Sequence, residues 1–312
     1  MFHKYLFLMS IICASPHAQP YPNKPIRLVT SEPGGGSDFA ARLIAQGLTG
    51  VIGQRVVVDN RGFIAGDIVA RAAADGYTLI LYGSPLWLAP FLRKNVPFDP
   101  VKDFAPVSLV VNTPNVLVVH PAAGVKSVSE LIAIARARPG ELNYSSASTG
   151  STQHLGAELF KSMANVNIVR VPYKGSGPAL TAVIGGQVQM MIPSAGSASA
   201  HVKSGRLRAL AVTSAQPSAL APGLPTMAAA GLPGYESSSP FGIFAPAGTP
   251  VGIVQQLSTA LAKVAATPDI RDKFFNSGVE TVGSTPEQLA ATIKIEMAKW
   301  GKLIREVGIR EE

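Results

Sequence analysis

Cysteine is almost absent from this 312-residue chain, which contains a single one, Cys13. One cysteine cannot form an internal disulfide, so a disulfide framework is excluded. Charged residues are also scarce, at 15% of the chain, whereas apolar residues make up 47%. This composition excludes intrinsic disorder and is typical of a folded protein with a large core. The length suits about two domains.

The chain also lacks the short motifs of common hydrolases, since G-x-S-x-G, S-x-x-K and H-E-x-x-H are all missing. His154 and Glu158 are four residues apart and could share a helix face. A capping or core role nevertheless explains this histidine better than a metal ligand or a base. We therefore predict a protein that is not an enzyme and has no catalytic residue, metal or cofactor. A hydrolase is the less favoured alternative.

The first 18 residues have the layout of a secretory signal peptide. Lys4 gives a short positive region, residues 5–14 are apolar, and a small residue precedes a cut after Ala18. A buried N-terminal strand is the alternative, but Lys4 before the run and Pro16 after it favour a signal. No later segment has 18 uninterrupted apolar residues, so we predict a periplasmic protein without a membrane-spanning helix.

The formal net charge is +8, from 27 basic and 19 acidic residues. Such a balance raises nucleic acid as a possible partner. The basic residues are scattered, however, and form no run interleaved with aromatic residues. We therefore predict no nucleic-acid binding. A basic surface would instead help to attract anionic solutes.

Strand-like and helix-like segments alternate along the chain, which predicts parallel sheets with helices on their faces. Two such α/β units and a helical tail predict two lobes with a ligand cleft between them. Residues 21–121 plus 245–312 would form lobe one, and residues 122–244 would form lobe two. Two helix starts carry a capping-box pattern: Ser127 with Glu130, and Thr285 with Gln288.

The glycine run Gly34-Gly35-Gly36 lies between the first predicted strand and the first predicted helix. Glycine lets the backbone approach a ligand, and a helix N-terminus presents free amides, so this turn is a candidate carboxylate or phosphate site. It is not a dinucleotide fingerprint, because Phe39 stands where a third glycine is needed. The alternative is a plain tight turn in which Ser37 or Asp38 caps the helix.

Two later strand-to-helix turns are further candidates for an anion site. Segment 145–154 offers several hydroxyls and a glycine at a helix start. The alternative there is that Ser151 or Thr152 acts only as an N-cap. In segment 171–177, Tyr173 or Lys174 could reach a ligand, and a solvated lysine beside a capped helix is the alternative.

Ten short stretches, in order over nearly the whole chain after residue 20, carry a family resemblance. They are YPNKPIR at 21–27, PGGGSD at 33–38, DGYTL at 75–79, VKDF at 101–104, LNY at 142–144, HL at 154–155 with ELF at 158–160, VPYKG at 171–175, GRLRALAV at 205–212, GLPGY at 231–235 and FAPAGTP at 244–250. Through these stretches the chain resembles the substrate-binding receptors of tripartite tricarboxylate transporters, the Bug or TctC-like family.

The resemblance implies a two-lobed periplasmic binding protein of the Venus-flytrap, type II-like kind, which closes over one ligand and delivers it to membrane permease subunits. It implies a carboxylate ligand, held partly through water by loop 33–38 of lobe one and loop 146–154 of lobe two. We expect a monomer. The predicted ligand-binding residues are Glu32, Pro33, Gly34, Gly35, Gly36, Ser37, Asp38, Phe63, Ser84, Trp87, Ser146, Ala147, Ser148, Thr149, Gly150, Ser151, Thr152, His154, Tyr173, Lys174 and Ser194.

Some of these residues depart from the family pattern and bear on the ligand. Glu32 stands where an apolar residue or proline is usual, and an acid there would repel a second carboxylate. Phe63 begins what looks like a shortened glycine-rich loop, and the turn at 84–87, which includes Trp87, is bulkier than the usual small polar turn. Ser194 lies in a pair that is usually acidic or amide. We therefore predict a monocarboxylate with an aromatic or apolar body rather than a tricarboxylate.

Two alternatives stay open. Phe63 and Trp87 could simply pack lobe one. The receptor could also present its ligand to a membrane sensor kinase instead of a permease.

Overall fold

The computed structural model describes residues 21–34 and 36–310. The predicted signal peptide, residues 1–18, and Gly35 of the glycine run lie outside the described residues. Within them the strands are β1 (Ile26–Thr30), β2 (Val56–Asn60), β3 (Thr78–Gly83), β4 (Phe104–Pro114), β5 (Val116–Val119), β6 (Asn143–Ser146), β7 (Val169–Pro172), β8 (Met190–Met191), β9 (Arg208–Val212), β10 (Ser238–Pro246) and β11 (Glu280–Thr281). The helices are α1 (Gly36–Ile52), α2 (Ala65–Ala70), α3 (Ser84–Leu92), α4 (Val128–Ala137), α5 (Thr152–Ala164), α6 (Ser176–Ile184), α7 (Ala195–Lys203), α8 (Val251–Ala266), α9 (Pro268–Asn276) and α10 (Pro286–Val307).

The strands form two mixed sheets. The first sheet has the order β2-β1-β3-β10-β4-β11, with β1 parallel to β2 and β3, and β10 antiparallel to β3 and β4. The second has the order β7-β6-β8-β5-β9, with β6 parallel to β7 and β8, and β5 antiparallel to β8 and β9. The predicted two-lobed α/β fold is confirmed. The predicted parallel pairing is present within each sheet, but β10 and β5 run antiparallel to their neighbours.

Apolar clusters lie on both faces of each sheet. Successive strand residues point to opposite faces, so Leu28 packs into one cluster of the first sheet and Val29 into the other. Leu117 and Val118 divide in the same way in the second sheet. Strands that are buried on both faces contain continuous apolar runs, which is why β1, β3 and β5 are visible in the sequence.

The chain passes from the first sheet to the second through one residue, since β4 ends at Pro114 and β5 begins at Val116. The intervening Asn115 is fixed by the returning chain, because its carbonyl accepts a hydrogen bond from the Thr213 N–H at 2.9 Å. The chain rejoins the first sheet at β10. The sheets therefore exchange at Asn115 and before β10, whereas the lobe limits at residues 121 and 244 stay a prediction. Among the described residues, no helix is long and apolar enough to cross a membrane.

Candidate functional site

The gap between the lobes contains a cavity of about 560 Å³, which we call the interlobe cleft. Both lobes and the crossing strands contribute to its wall. The described residues that line it are Gly34, Gly36, Phe39, Ala40, Val111, Thr113, Asn115, Thr152, Gln153, Ser176, Ser194, Ser197, Ser239, Phe241, Ser277 and Val279. None of these lining residues carries a formal charge, so an ion bound here would be met by neutral groups.

Four helices begin at the cleft, each soon after a strand: α1 from lobe one, and α5, α6 and α7 from lobe two. A helix N-terminus carries unpaired N–H groups and the positive end of the dipole, which together favour an anion. The first turns of α5, α6 and α7 contain no acidic residue, whereas that of α1 contains Asp38. The lobe-two side of the cleft is therefore the more favourable side for an anion.

Asp38 is buried and closes the glycine turn of lobe one. Its carboxylate accepts hydrogen bonds from the Gly34 N–H at 2.9 Å and from Asn60 Nδ2 at 2.9 Å, and it lies 3.0 Å from an Arg42 guanidinium nitrogen. Burial opposes ionisation, but these hydrogen bonds and the Arg42 charge outweigh it and hold the pKa of Asp38 below its usual value. The ionised Asp38 therefore offsets the positive end of α1.

Arg170 on β7 holds the corresponding loop of lobe two. Its Nε donates to Ser146 Oγ at 2.8 Å, one terminal nitrogen donates to Thr149 Oγ1 at 3.2 Å, and the other donates to the Ala147 carbonyl at 3.0 Å. Three residues that the sequence predicts as ligand contacts are thus partners of one guanidinium. Arg170 was not among the predicted site residues, because its three partners lie 21, 23 and 24 residues before it in the sequence.

Gln153 and Thr152 connect the start of α5 to the rest of the cleft wall. Gln153 accepts the Ala147 N–H at 3.2 Å and donates to Ser176 Oγ, at the start of α6, at 2.7 Å. Thr152 Oγ1 lies 2.7 Å from Ser239 Oγ on β10, and either hydroxyl can donate. These bonds fix the spacing of the helix N-termini on the lobe-two side.

His154 is buried behind the loop and does not line the cleft. Its Nδ1 accepts the Gly150 N–H at 3.1 Å. Burial, together with the nearby charges of Arg170 and Lys161, lowers the pKa of His154 to about 3. The imidazole is therefore neutral at ordinary pH and acts as a hydrogen-bond acceptor rather than as a cation for a ligand.

The lobe-one side of the cleft is apolar. Phe39 from α1, Phe241 from β10, Val111 from β4 and Val279 line it. The cleft is thus divided, with hydroxyl, amide and helix N-terminal groups on one side and aromatic and branched side chains on the other. Such a division suits a ligand with one charged end and an apolar body.

The sequence matches the family model described as "Tripartite tricarboxylate transporter family receptor" over residues 40–309. The chain belongs to this family. BugT of Bordetella pertussis is a 38% identical relative over 306 residues, which cover 96% of this chain and 94% of BugT.

Solved structures of the family superpose on the chain over almost its full length. R. palustris Rpa4515 with adipate has 39% identity and a TM-score of 0.81, covering 92% of this chain and 98% of Rpa4515. The periplasmic binding protein BugD has 30% identity and a TM-score of 0.79, covering 93% of this chain and all of BugD, at 100%. The family model describes receptors and BugD is a periplasmic binding protein, so this family member is a binding protein and not an enzyme.

In this receptor only part of the predicted ligand-binding set lines the interlobe cleft: Gly34, Gly36, Thr152 and Ser194. Three others line a separate cavity of about 120 Å³ beside α3: Ser148, Thr149 and Ser151. Gly150 has a φ of 74° and packs against Leu92 of α3. Ser146, Ala147 and His154 belong to the loop scaffold described above, and Ser37 is buried in the first turn of α1.

The remaining predicted residues lie away from the cleft wall. Trp87 is 1% exposed, and its ring packs 6.1 Å from the Phe244 ring in the core of lobe one, while Ser84 is buried beside it in α3. Tyr173 packs against the lobe-two core. Lys174, Glu32 and Pro33 are exposed. The side chain of Phe63 lies outside what the structure describes.

The aromatic wall is therefore built from residues that the sequence analysis did not select, Phe39 and Phe241. Thr113 and Asn115 were also missed. Val111, Thr113 and Asn115 lie on one face of β4 and the residue beyond it, because successive strand residues point to opposite faces. This period of two is the sequence signal that could have identified them as neighbours. Nothing in that pattern says which face meets the second lobe.

Proposed function

We propose that this chain is a periplasmic receptor that binds a small organic carboxylate in the interlobe cleft and delivers it to the permease of a tripartite transporter. The observation that carries the proposal is the neutral, donor-rich wall at the start of α5, α6 and α7. Helix N-termini bind carboxylates without a cationic side chain. The structure of the relative Rpa4515 with adipate supports a carboxylate as the class of ligand.

The carboxylate binds on the lobe-two side in this proposal. There, three first turns are free of acidic residues, whereas Asp38 offsets the positive end of α1 in lobe one. An anion gains most where partial positive charge is not already neutralised. The two lobes thus divide the work, with lobe two recognising the charge of the ligand and lobe one its body.

The body of the ligand lies against Phe39, Phe241, Val111 and Val279 in the proposal. Burying a phenyl-sized group against such a wall contributes about 2 kcal/mol. A second carboxylate in the same place would lose its hydration without meeting a donor. We therefore favour a monocarboxylate with an aromatic or apolar body over dicarboxylates and tricarboxylates.

Binding closes the lobes, because groups from both line the same cleft. Closure is favoured to the extent that the ligand binds the closed arrangement better than the open one. The lobes already approach closely at Gly196 and Gly278, where a Cβ on Gly196 would clash with the Ser277 carbonyl oxygen. The predicted signal peptide and the periplasmic relative BugD support the compartment.

Calorimetry on the chain from Gln19 onward tests the proposal, after unfolding and refolding to remove any ligand carried through purification. Titrants are 3-phenylpropanoate, hexanoate, adipate, citrate and the neutral 3-phenylpropanamide. We expect a monocarboxylate to bind near the micromolar range, about −8 kcal/mol, and the amide not to bind. If only adipate or citrate binds, the proposal that the chain is a carboxylate receptor stands, but the preference for a monocarboxylate is rejected.

A pair of variants of α6 separates a cleft site from a general charge effect. Ser176→Asp places a carboxylate at the helix start inside the cleft and should abolish binding. Thr181→Asp places the same charge on the exposed side of the same helix and should leave binding unchanged. Equal losses in both variants, the absence of binding to every carboxylate, or consumption of a titrant would reject the proposed function.

Uptake measurements test the partner. Deletion of the gene should abolish transport of the ligand that calorimetry identifies, and the chain should be released with the periplasmic fraction. Normal uptake together with a lost transcriptional response would favour the sensor-kinase alternative.

A further inference from the structure

Thr113 and Asn115 form a polar floor where the crossing strand passes beneath the interlobe cleft. Thr113 is the next-to-last residue of β4, and Asn115 is the single residue between β4 and β5. Both residues line the cleft and lie on the same side of the strand as Val111. They therefore lie where the chain passes from the first sheet to the second.

Both side chains are buried, with 4% of Thr113 and 1% of Asn115 exposed. Thr113 Oγ1 and Asn115 Nδ2 nevertheless make no hydrogen bond to any group in the described part of the chain. The backbone of Asn115 is paired on both sides, since its N–H donates to Thr213 Oγ1 at 3.1 Å and its carbonyl accepts the Thr213 N–H. The floor is thus held in place while its side-chain donors stay unpaired.

Unpaired buried donors destabilise a fold, and native proteins contain few of them. Two such donors on adjacent positions of one face, both at the wall of a cavity, indicate a partner that arrives with the ligand. Neighbouring polar groups are already occupied, because Ser239, opposite Thr113 on β10, shares its hydrogen bond with Thr152. The floor therefore contains unpaired side-chain donors, whereas the neighbouring polar side chains of the wall are already hydrogen-bonded.

The position of the floor indicates which part of the ligand it meets. Asn115 forms a backbone bridge with Ser194, the N-cap of α7, and Thr113 lies beside the Ser239–Thr152 pair at the start of α5. The floor is thus next to the helix N-termini at which the carboxylate is proposed to bind. A second carboxylate there would be desolvated between two neutral donors at high cost, whereas a hydroxyl or carbonyl oxygen would be satisfied.

We infer that Thr113 and Asn115 are specificity-determining residues that bind an uncharged oxygen adjacent to the ligand carboxylate, so that the receptor selects 2-hydroxy or 2-oxo carboxylates. This inference rests on the proposed function and narrows its ligand class. The carboxylate is recognised at the helix N-termini, the neighbouring oxygen at the floor, and the apolar body by Phe39 and Phe241.

The first test compares acids that share a carbon skeleton. Wild-type receptor should bind 2-hydroxy-3-phenylpropanoate or 2-oxo-3-phenylpropanoate about tenfold more tightly than 3-phenylpropanoate, because an unsubstituted acid leaves both donors unpaired. The pair 2-hydroxyhexanoate and hexanoate provides the same comparison with an aliphatic body. Equal affinities within both series would overturn the inference and leave the proposed function intact, whereas a lack of binding to any acid would reject both.

The second test uses the near-isosteric variants Thr113→Val and Asn115→Leu. Each should remove most of the preference for the oxygenated acid while leaving affinity for the unsubstituted acid within about twofold. Thermal unfolding of the ligand-free variants is the readout that distinguishes a binding role from a structural one. We expect an unchanged or higher Tm, since an unpaired buried polar group has been replaced by an apolar one.

Asn112→Leu is the matched control. Asn112 lies on the same strand and also has an unpaired buried oxygen, Oδ1, but it is not among the residues that line the cleft. Its replacement should leave both affinities and the preference unchanged. The inference fails if the floor variants keep the preference, if they lose both acids equally, or if the loss of affinity follows a lower Tm.

Discussion

Two glycine turns, one in each lobe, are built alike but differ in charge. In lobe one the Gly34 N–H is accepted by the side chain of Asp38, and in lobe two the Gly150 N–H is accepted by His154, each four residues further on. Both glycines have a positive φ, 81° and 74°. The acceptor is an ionised carboxylate in the first turn and a neutral imidazole in the second.

This difference shows that turn geometry by itself does not make an anion site. The same hydrogen bond closes both turns, but the charge of the acceptor decides how much of the positive end of the helix is left for a ligand. In lobe two the neutral acceptor is accompanied by Arg170, which holds the loop from behind. The sequence makes the two turns look equivalent, whereas the structure makes them unequal.

The largest expected effect is the loss of Arg170. In Arg170→Ala the loop loses three hydrogen bonds from a charged donor, and we expect the free energy of unfolding to fall by about 3 kcal/mol. Ligand affinity should fall more than tenfold, because the loop leads directly into α5. Denaturant unfolding and calorimetry measure the two effects.

Arg136→Ala is the control for this variant. Arg136 also belongs to lobe two and donates two hydrogen bonds to the Ala164 carbonyl, but it does not line the cleft. It should lower stability and leave affinity unchanged. Equal losses of affinity in the two variants would mean that Arg170 acts only through global stability.

The second effect concerns pH and the neutral acceptor in lobe two. The pKa of His154 falls from 6.5 in the unfolded chain to about 3 in the folded protein. The unfolded chain therefore binds the proton first. The contribution of the neutral imidazole is fully present above pH 6.5 and declines as pH falls toward about 3, by about 1.4 kcal/mol per pH unit.

His154→Asn keeps an acceptor near Nδ1 and removes the titration. The free energy of unfolding of this variant should therefore fall less steeply than that of wild type between pH 6 and pH 4. Denaturant midpoints at half-unit pH intervals measure the difference. Parallel pH profiles would show that His154 does not titrate as stated.

The smallest effect is expected at the charged acceptor in lobe one. Asp38→Asn should destabilise the protein by about 1 kcal/mol at pH 7, because a charge-assisted acceptor of the Gly34 N–H is lost. Since the folded-state pKa of Asp38 lies below its usual value, this difference should shrink as pH falls and the wild-type carboxylate takes up a proton. Affinity for carboxylates should rise about threefold, because the positive end of α1 is no longer offset.

Asp59→Asn is the matched control for Asp38. Asp59 is a partly buried carboxylate of the same lobe with a lowered pKa, paired with Arg27 and Arg61, and it does not line the cleft. It should lower stability without changing affinity. If affinity rises in both variants or in neither, the claim that the charge of Asp38 weakens anion binding at the start of α1 is wrong.

Local signals in the sequence predicted local structure well. The Thr285–Gln288 capping box is present in full, with each side chain accepting the backbone N–H of the other. The Ser127 box is half right, because Ser127 accepts the Glu130 N–H but the Glu130 carboxylate accepts the Lys126 N–H instead. Such patterns involve neighbours in sequence, so one chain is enough to recognise them.

The cleft was only partly predictable because its wall is assembled across the fold. The glycine turn and the start of α5 were found, since each combines a strand end with a helix start. Phe39 and Phe241 line the same cleft only because β10 inserts beside β3 in the first sheet. Trp87 was predicted to line the cleft, but it lies in the core of lobe one. A large side chain next to a turn can do either, and the sequence does not distinguish the two. The antiparallel direction of β10 likewise could not be predicted locally, because the chain returns to the first sheet only after it has formed the whole second sheet.

The uncharged lining of the cleft has a consequence for the inorganic salts that surround an exported protein. A site built on lysine or arginine attracts chloride and phosphate as well as its own ligand. Here a small hydrated ion would lose its water shell. It would gain only interactions with neutral groups and would make no favourable contact with the apolar wall of Phe39 and Phe241. In the proposed function, an anion with its own apolar surface recovers the cost of dehydration against this wall. We therefore expect the cleft to bind such an anion in preference to chloride.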